Sequence, residues 1–132
     1  MPLISSRSTP ANPSGRAAMT VLIVDDHPSF RATARTLLEL EGYRVIGEAV
    51  DGASAVEEAH RLRPELVLLD VQLPDTDGFA VAEQLLGEEP VPAVILTSSR
   101  DAADFGPLVA QSGARGFVPK SELSGAALAA LL

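Results

Sequence analysis

Along residues 20 to 132, short apolar runs alternate with stretches whose apolar positions recur at helical spacing. "VLIV" (21–24), "LVLL" (66–69) and "AVIL" (93–96) are unbroken, with no polar residue at alternate positions. A strand with one face in water alternates apolar with polar, so unbroken runs predict strands covered on both faces, as in a parallel sheet. Five strands are predicted: Val21–Val24, Arg44–Glu48, Glu65–Leu69, Ala93–Leu96 and Gly116–Val118.

Helical patterns fill the gaps. The first places Phe30, Ala34, Leu37 and Leu38 on one stripe, with Pro28 in its first turn and Gly42 at its end. Proline suits a first turn because the amide hydrogen it lacks would have no partner there, and glycine suits the end. A second helix, about 53–62, turns Ala55, Val56, Ala59 and Leu62 inward and is stopped by Pro64. A third, about 78–86, starts at Asp77 and buries Val81, Ala82, Leu85 and Leu86. A fourth is interrupted by Gly106-Pro107, so its regular part is expected to start near Pro107 and to be short. A fifth follows Lys120, with Ser121 as the expected N-cap and Leu123, Ala127 and Leu131 on one face. Five βα units imply right-handed crossovers and helices on both faces of the sheet.

Residues 1–18, "MPLISSRSTPANPSGRAA", carry neither period and are expected to form a disordered tail before one domain, residues 19–132. Arg7 and Arg16 are the only charges in that tail, so the domain is more acidic than the whole chain, whose net charge is −8. Such a surface argues against binding a nucleic-acid backbone, which needs clustered lysine and arginine. With no cysteine, disulfides, thiolate metal sites and cysteine nucleophiles are excluded. No apolar run approaches the roughly 18 residues of a membrane span, and no apolar signal stretch follows Met1, so a cytoplasmic location is expected.

In an open parallel sheet, chemistry gathers beyond the carboxyl ends of the strands. There the sequence puts Asp25 and Asp26 after strand 1, Asp70 after strand 3, Thr97 after strand 4 and Lys120, the chain's single lysine, after strand 5. Three close carboxylates repel one another unless a cation offsets them, and carboxylate oxygens are what Mg²⁺ prefers. Lysine and a hydroxyl can hold phosphoryl oxygens, which leaves one aspartate free as nucleophile. Other readings fit less well. "DTDG" (75–78) fails as a calcium loop, because Leu73 and Gln84 would stand at its first and twelfth positions. A haloacid-dehalogenase-like phosphatase needs a second aspartate where Gln72 stands, and an acidic "DDHPS" loop repels a flavin phosphate. His27 beside the acids suggests a transition-metal ligand, but a lone imidazole among oxygen donors is more often a surface or capping residue, and hard cations prefer oxygen; His60 has no partner in sequence.

Over about residues 20 to 132 the chain resembles the receiver domains of response regulators in two-component signalling. "VDDHPSFR", "GEAVDGASAVE", "PELVLLDVQLPDTDG", "AVILTSS" and "SGARGFVPKSEL" carry the resemblance. It implies a flavodoxin-like, doubly wound sheet of five parallel strands in the order 2-1-3-4-5. It further implies that Asp70 accepts a phosphoryl group from a sensor histidine kinase or phosphotransfer protein. Mg²⁺ would be held by Asp26 directly, by Asp25 mainly through water, by Asp70 and by the Gln72 backbone carbonyl. Thr97 and Lys120 would contact the phosphoryl group, and Phe117 would be the aromatic that reports it. The stretch from Thr97 to Phe117 is one residue longer than the family's usual spacing, which leaves Ser98 as a second candidate for the hydroxyl. Ser121 replaces the proline that many relatives carry after the lysine.

"DDHP" and "GEA" are most similar to receivers that precede a helix-turn-helix domain, and none follows in this sequence. The expectation is therefore a phosphorylation switch and not a turnover enzyme. Its output would pass through a phosphorylation-dependent protein partner, or a homodimer, docking on residues 100–132. A degenerate receiver serving only as an interaction module, or a phosphate sink, is the alternative.

Overall fold

The computed structural model describes residues 18–132, so the expected tail lies outside the described residues except for Ala18. The order is β1 (Thr20–Val24), α1 (Pro28–Leu40), β2 (Arg44–Ala49), α2 (Gly52–Leu62), β3 (Leu66–Asp70), α3 (Gly78–Leu86) and β4 (Ala93–Ser98). A 3₁₀ turn (Ala102–Phe105), α4 (Leu108–Gln111), β5 (Gly116–Pro119), a second 3₁₀ turn (Lys120–Glu122) and α5 (Gly125–Ala129) complete it. The strands pair in parallel in the order β2-β1-β3-β4-β5, which is the flavodoxin-like sheet.

Successive side chains of a strand point to opposite faces, and that rule sorts the core. Leu22, Val24, Val67, Leu69, Val94 and Leu96 pack with Ala55 of α2 and Val81, Ala82 and Leu85 of α3. Val21, Ile23, Leu66, Leu68, Ile95 and Val118 pack with Ala34 and Leu38 of α1 and Leu128 of α5. One alternate step beyond Ile23, Leu68 and Ile95 come Asp25, Asp70 and Thr97. The three thus continue the α1/α5 face past the end of its apolar rows. Ser98 continues the opposite face.

Strand ends differ from the expected ones where polar residues stay in the ladder. β3 runs to Asp70 and β4 to Ser98, because pairing continues through Asp70 and Thr97, which are register partners. The loop after β3 is pinned twice. Asp75 accepts hydrogen bonds from Gly52 N (2.7 Å) and Ala53 N (3.0 Å) at the start of α2. Gly78 N donates to Val71 O at 2.6 Å, and a Cβ on Gly78 would lie 2.4 Å from the Asp70 carbonyl oxygen. Only glycine allows that approach. Asp77 caps α3, as expected, by accepting from Ala80 N at 2.8 Å.

One expectation changes. The N-cap of α5 is Ser124, which accepts from Ala127 N at 3.0 Å, not Ser121. Residues 120–122 form a 3₁₀ turn, and Leu123 stays extended while tucking against the α1/α5 core, so the helix begins later. The fourth helix is broken as expected: Gly106 takes φ +57° between the 3₁₀ turn and the single turn of α4, and neither piece buries a residue fully. The cis peptide bond among the described residues is Glu89–Pro90, away from Lys120. No helix among the described residues is long and apolar enough to cross a membrane.

Candidate functional site

Asp25 and Asp70 are buried at the ends of adjacent strands, while Asp26 keeps 37% of its side chain exposed at the mouth. Lys120 reaches between them from the end of β5. Its Nζ lies 2.6 Å from Asp25 Oδ2, without hydrogen-bond alignment, and 3.4 Å from Asp70 Oδ2. The ammonium also sits 4.6 Å from the centre of the Phe30 ring, so α1 holds the lysine by a cation–π contact. Sequence reasoning placed Phe30 in the core stripe of α1 and missed this role.

Three carboxylates against one ammonium leave two negative charges uncompensated, which suits a divalent cation. Their oxygens are the hard donors that Mg²⁺ prefers, so Asp25, Asp26 and Asp70 fit the ion as a donor set. One potential ligand atom from each of Asp25, Asp26, His27 and Asp70 lies within 4.8 Å of all the others. Burial pushes the Asp70 carboxyl up to about 6, against the hydrogen bond from Gln72 N, and the nearby Asp25 charge adds to the rise. Lys120 pulls the other way. Above that value Asp70 is an anion with one oxygen facing Gln72 N (3.1 Å) and the other facing Lys120.

Thr97 Oγ1 is fully buried and has no hydrogen-bond partner. A buried hydroxyl without a partner costs on the order of 1–3 kcal/mol, a cost that an acceptor placed beside Asp70 would offset. Ser98 accepts from Arg100 N at 3.1 Å, which ties it to the loop. Phe117 stands on the other face of the sheet, opposite Leu96 in register, with its ring 5.8 Å from Phe105. Phe105 in turn lies 5.7 Å from Phe79 of α3. Thus Thr97 and Phe117 share the β4–β5 edge but not a face.

Sequence reasoning missed Arg31, and it did not foresee how His27 is oriented. His27 is the residue before α1, yet its side chain caps no backbone amide. Nδ1 lies 2.9 Å from Asp25 Oδ1 and 3.2 Å from Asp26 Oδ1 instead. Arg31 donates from Nη1 to the Asp25 carbonyl (2.7 Å) and from Nε to Glu48 Oε1 (2.8 Å). Glu48, on β2, also accepts from Arg35 Nε at 2.9 Å. Burial raises the Glu48 carboxyl, but the hydrogen bonds from Arg35 and Arg31 outweigh it and hold the group below its usual value. The second strand therefore does contribute a polar group, one that braces the loop carrying the acid pair. On α2, His60 pairs with Glu88 across the α2–α3 gap.

Residues 21–131 match the response regulator receiver domain family, and the chain belongs to it. It is 35% identical over 104 residues to the DNA-binding transcriptional activator EvgA of Escherichia coli strain K12, a match covering 79% of this chain and 51% of EvgA. It is 34% identical over 112 residues to a protein-glutamate methylesterase/protein-glutamine glutaminase of Alkalilimnicola ehrlichii, covering 79% of this chain and 28% of that one. The crystal structure of a LuxR-family two-component response regulator from Aurantimonas sp. SI85-9A1 superposes with a TM-score of 0.77 at 27% identity, covering 86% and 85% of the two chains. The chain spans about half the length of EvgA and less of the methylesterase.

Proposed function

We propose that this receiver is a phosphorylation switch in which Asp70 takes a phosphoryl group from a sensor histidine kinase or phosphotransfer protein. The supporting observation is a buried carboxylate flanked by the chain's only lysine and a buried hydroxyl with no partner. An Asp70 oxygen attacks phosphorus, the phosphorus–nitrogen bond of phosphohistidine breaks, and its electrons return to the imidazole, which leaves. An acyl phosphate remains on Asp70. Lys120 turns from the carboxylates to a phosphoryl oxygen, and Thr97 donates its hydroxyl proton to another. Asp25, Asp26, Asp70 and the Gln72 backbone carbonyl would hold Mg²⁺, which neutralises charge on the transferred group.

Movement of Thr97 toward the new charge biases β4 and the segment that follows it. Phe117 and Phe105 then repack, altering the surface formed by residues 100–132. The proposed output is a contact of that surface with a protein partner or a second copy of the chain. EvgA is a DNA-binding activator; the acidic balance of this receiver argues against a DNA contact of its own. The proposed setting is the cytoplasm, where a kinase can reach the pocket. Incubation with acetyl phosphate and Mg²⁺, followed by phosphate-affinity electrophoresis, should shift the wild type and leave Asp70→Asn unshifted. A persistent shift in that variant removes Asp70 from the central role. A pocket that takes no phosphoryl group and no Mg²⁺ would favour the interaction-module reading.

A further inference from the structure

We infer that the acid pocket is also a site for a divalent transition ion of the Co²⁺–Zn²⁺ class, with His27 Nδ1 as its nitrogen ligand. This rests on reading Asp25, Asp26 and Asp70 as a cation site and extends it to the choice of ion. The imidazole is mostly exposed, at 63%, so packing does not force its orientation. Its position before α1 would allow it to cap that helix, and it does not. Nδ1 instead points at one oxygen of each member of the acid pair, 2.9 Å from Asp25 Oδ1 and 3.2 Å from Asp26 Oδ1.

Lys120 approaches Asp25 from its other oxygen, Oδ2, so the Oδ1 edge is left to the histidine side of the pocket. Ligands of one ion at about 2.0–2.2 Å lie up to about 4.4 Å apart. The four candidate ligand atoms already lie within 4.8 Å of one another, so a small closing movement suffices. Thr97 Oγ1, fully buried and without a partner next to Asp70 in register, is a separate sign that this pocket is built to hold a ligand. Without an ion, Nδ1 donates to Asp25 Oδ1; with an ion between them the proton sits on the exposed Nε2, and Nδ1 offers the ion its lone pair.

The donor set has a chemical consequence. Mg²⁺ keeps oxygen ligands and gains little from an imidazole, whereas ions later in the divalent series gain most from nitrogen. His27 is therefore neutral toward Mg²⁺ and selective for the transition ion, which competes for the same carboxylates.

The test is titration of the wild type, His27→Ala and His60→Ala, with Co²⁺ followed by visible absorption and Mg²⁺ by calorimetry. His60→Ala serves as the control because it removes the other imidazole. His27→Ala should weaken Co²⁺ about tenfold or more, as loss of a ligand does, and leave Mg²⁺ within about twofold. In the wild type, Zn²⁺ should shift the Nδ1 resonance of His27 in a histidine ¹⁵N spectrum. Equal Co²⁺ affinity in wild type and His27→Ala, with Mg²⁺ binding intact, overturns the imidazole ligand alone. Failure of both ions to bind the wild type removes the cation site itself, and the inference with it.

Discussion

Replacing Asp70 by asparagine should stabilise the fold at neutral pH while it destroys the phosphoacceptor. The carboxyl titrates near 6 in the folded chain against an ordinary 3.8, chiefly because it is buried. A raised value means that protonation favours the fold. Asp70's contribution to stability is complete below pH 3.8 and is lost as pH rises through about 6. At pH 7.5 the ionised group therefore costs stability. The difference between the two values corresponds to at most about 3 kcal/mol, and solvent at the pocket mouth lowers this to roughly 1–2 kcal/mol. Asparagine keeps an oxygen for Gln72 N and removes the charge that faces Asp25. Urea unfolding is best followed by far-ultraviolet circular dichroism, since the chain has no tryptophan and one tyrosine. At pH 7.5 without Mg²⁺, Asp70→Asn should be more stable by about 1–2 kcal/mol, with the gap closing toward pH 4. Saturating Mg²⁺ should also narrow it, by stabilising the wild type more. A variant less stable than wild type at pH 7.5, or a gap unchanged by pH, refutes the reasoning.

Gly78→Ala should destabilise the domain by about 1–3 kcal/mol in the same assay, because the added Cβ meets backbone beneath Asp70 rather than a movable side chain. Gln72→Ala should change the rate at which the phosphorylated protein decays without preventing phosphorylation; equal decay, followed by electrophoresis over time, would place the attacking water elsewhere. Beryllofluoride with Mg²⁺ should change amide exchange across residues 100–132, strongest in the exposed 3₁₀ turn Ala102–Phe105. Changes confined to the acid pocket would favour a phosphate sink.

The sheet was legible because its central strands are unbroken apolar runs. Their ends were not, since Asp70 and Ser98 are polar yet remain in the ladder, where backbone pairing and not hydropathy decides. Ser121 and Ser124 are equivalent as caps by composition. Only the extended Leu123, tucked into the core, selects Ser124. At the site, the acids, Thr97 and Lys120 could be placed at one edge from strand order, whereas the choice between Thr97 and Ser98 stayed open until the strand register paired Asp70 with Thr97. Phe30 beneath Lys120 joins residues ninety positions apart, and Arg31 reaches Glu48 across the α1–β2 turn. Such contacts depend on how α1 lies on the sheet, and no local spacing reports that. His27 lies at the surface, as one of its two readings had it, but it does not cap α1: the position before a helix suggests capping, whereas the ring turns toward two adjacent carboxylates.

The central claim is that phosphate arrives on Asp70 and that the acid pair makes this depend on Mg²⁺. Borohydride reduction of the acetyl-phosphate-treated protein converts an aspartyl phosphate to homoserine, which peptide mass mapping locates. Homoserine should appear at position 70 alone, only when Mg²⁺ is present, and fall sharply in Asp26→Ala. Homoserine at another aspartate, or equal yield with Mg²⁺ chelated, would contradict the account.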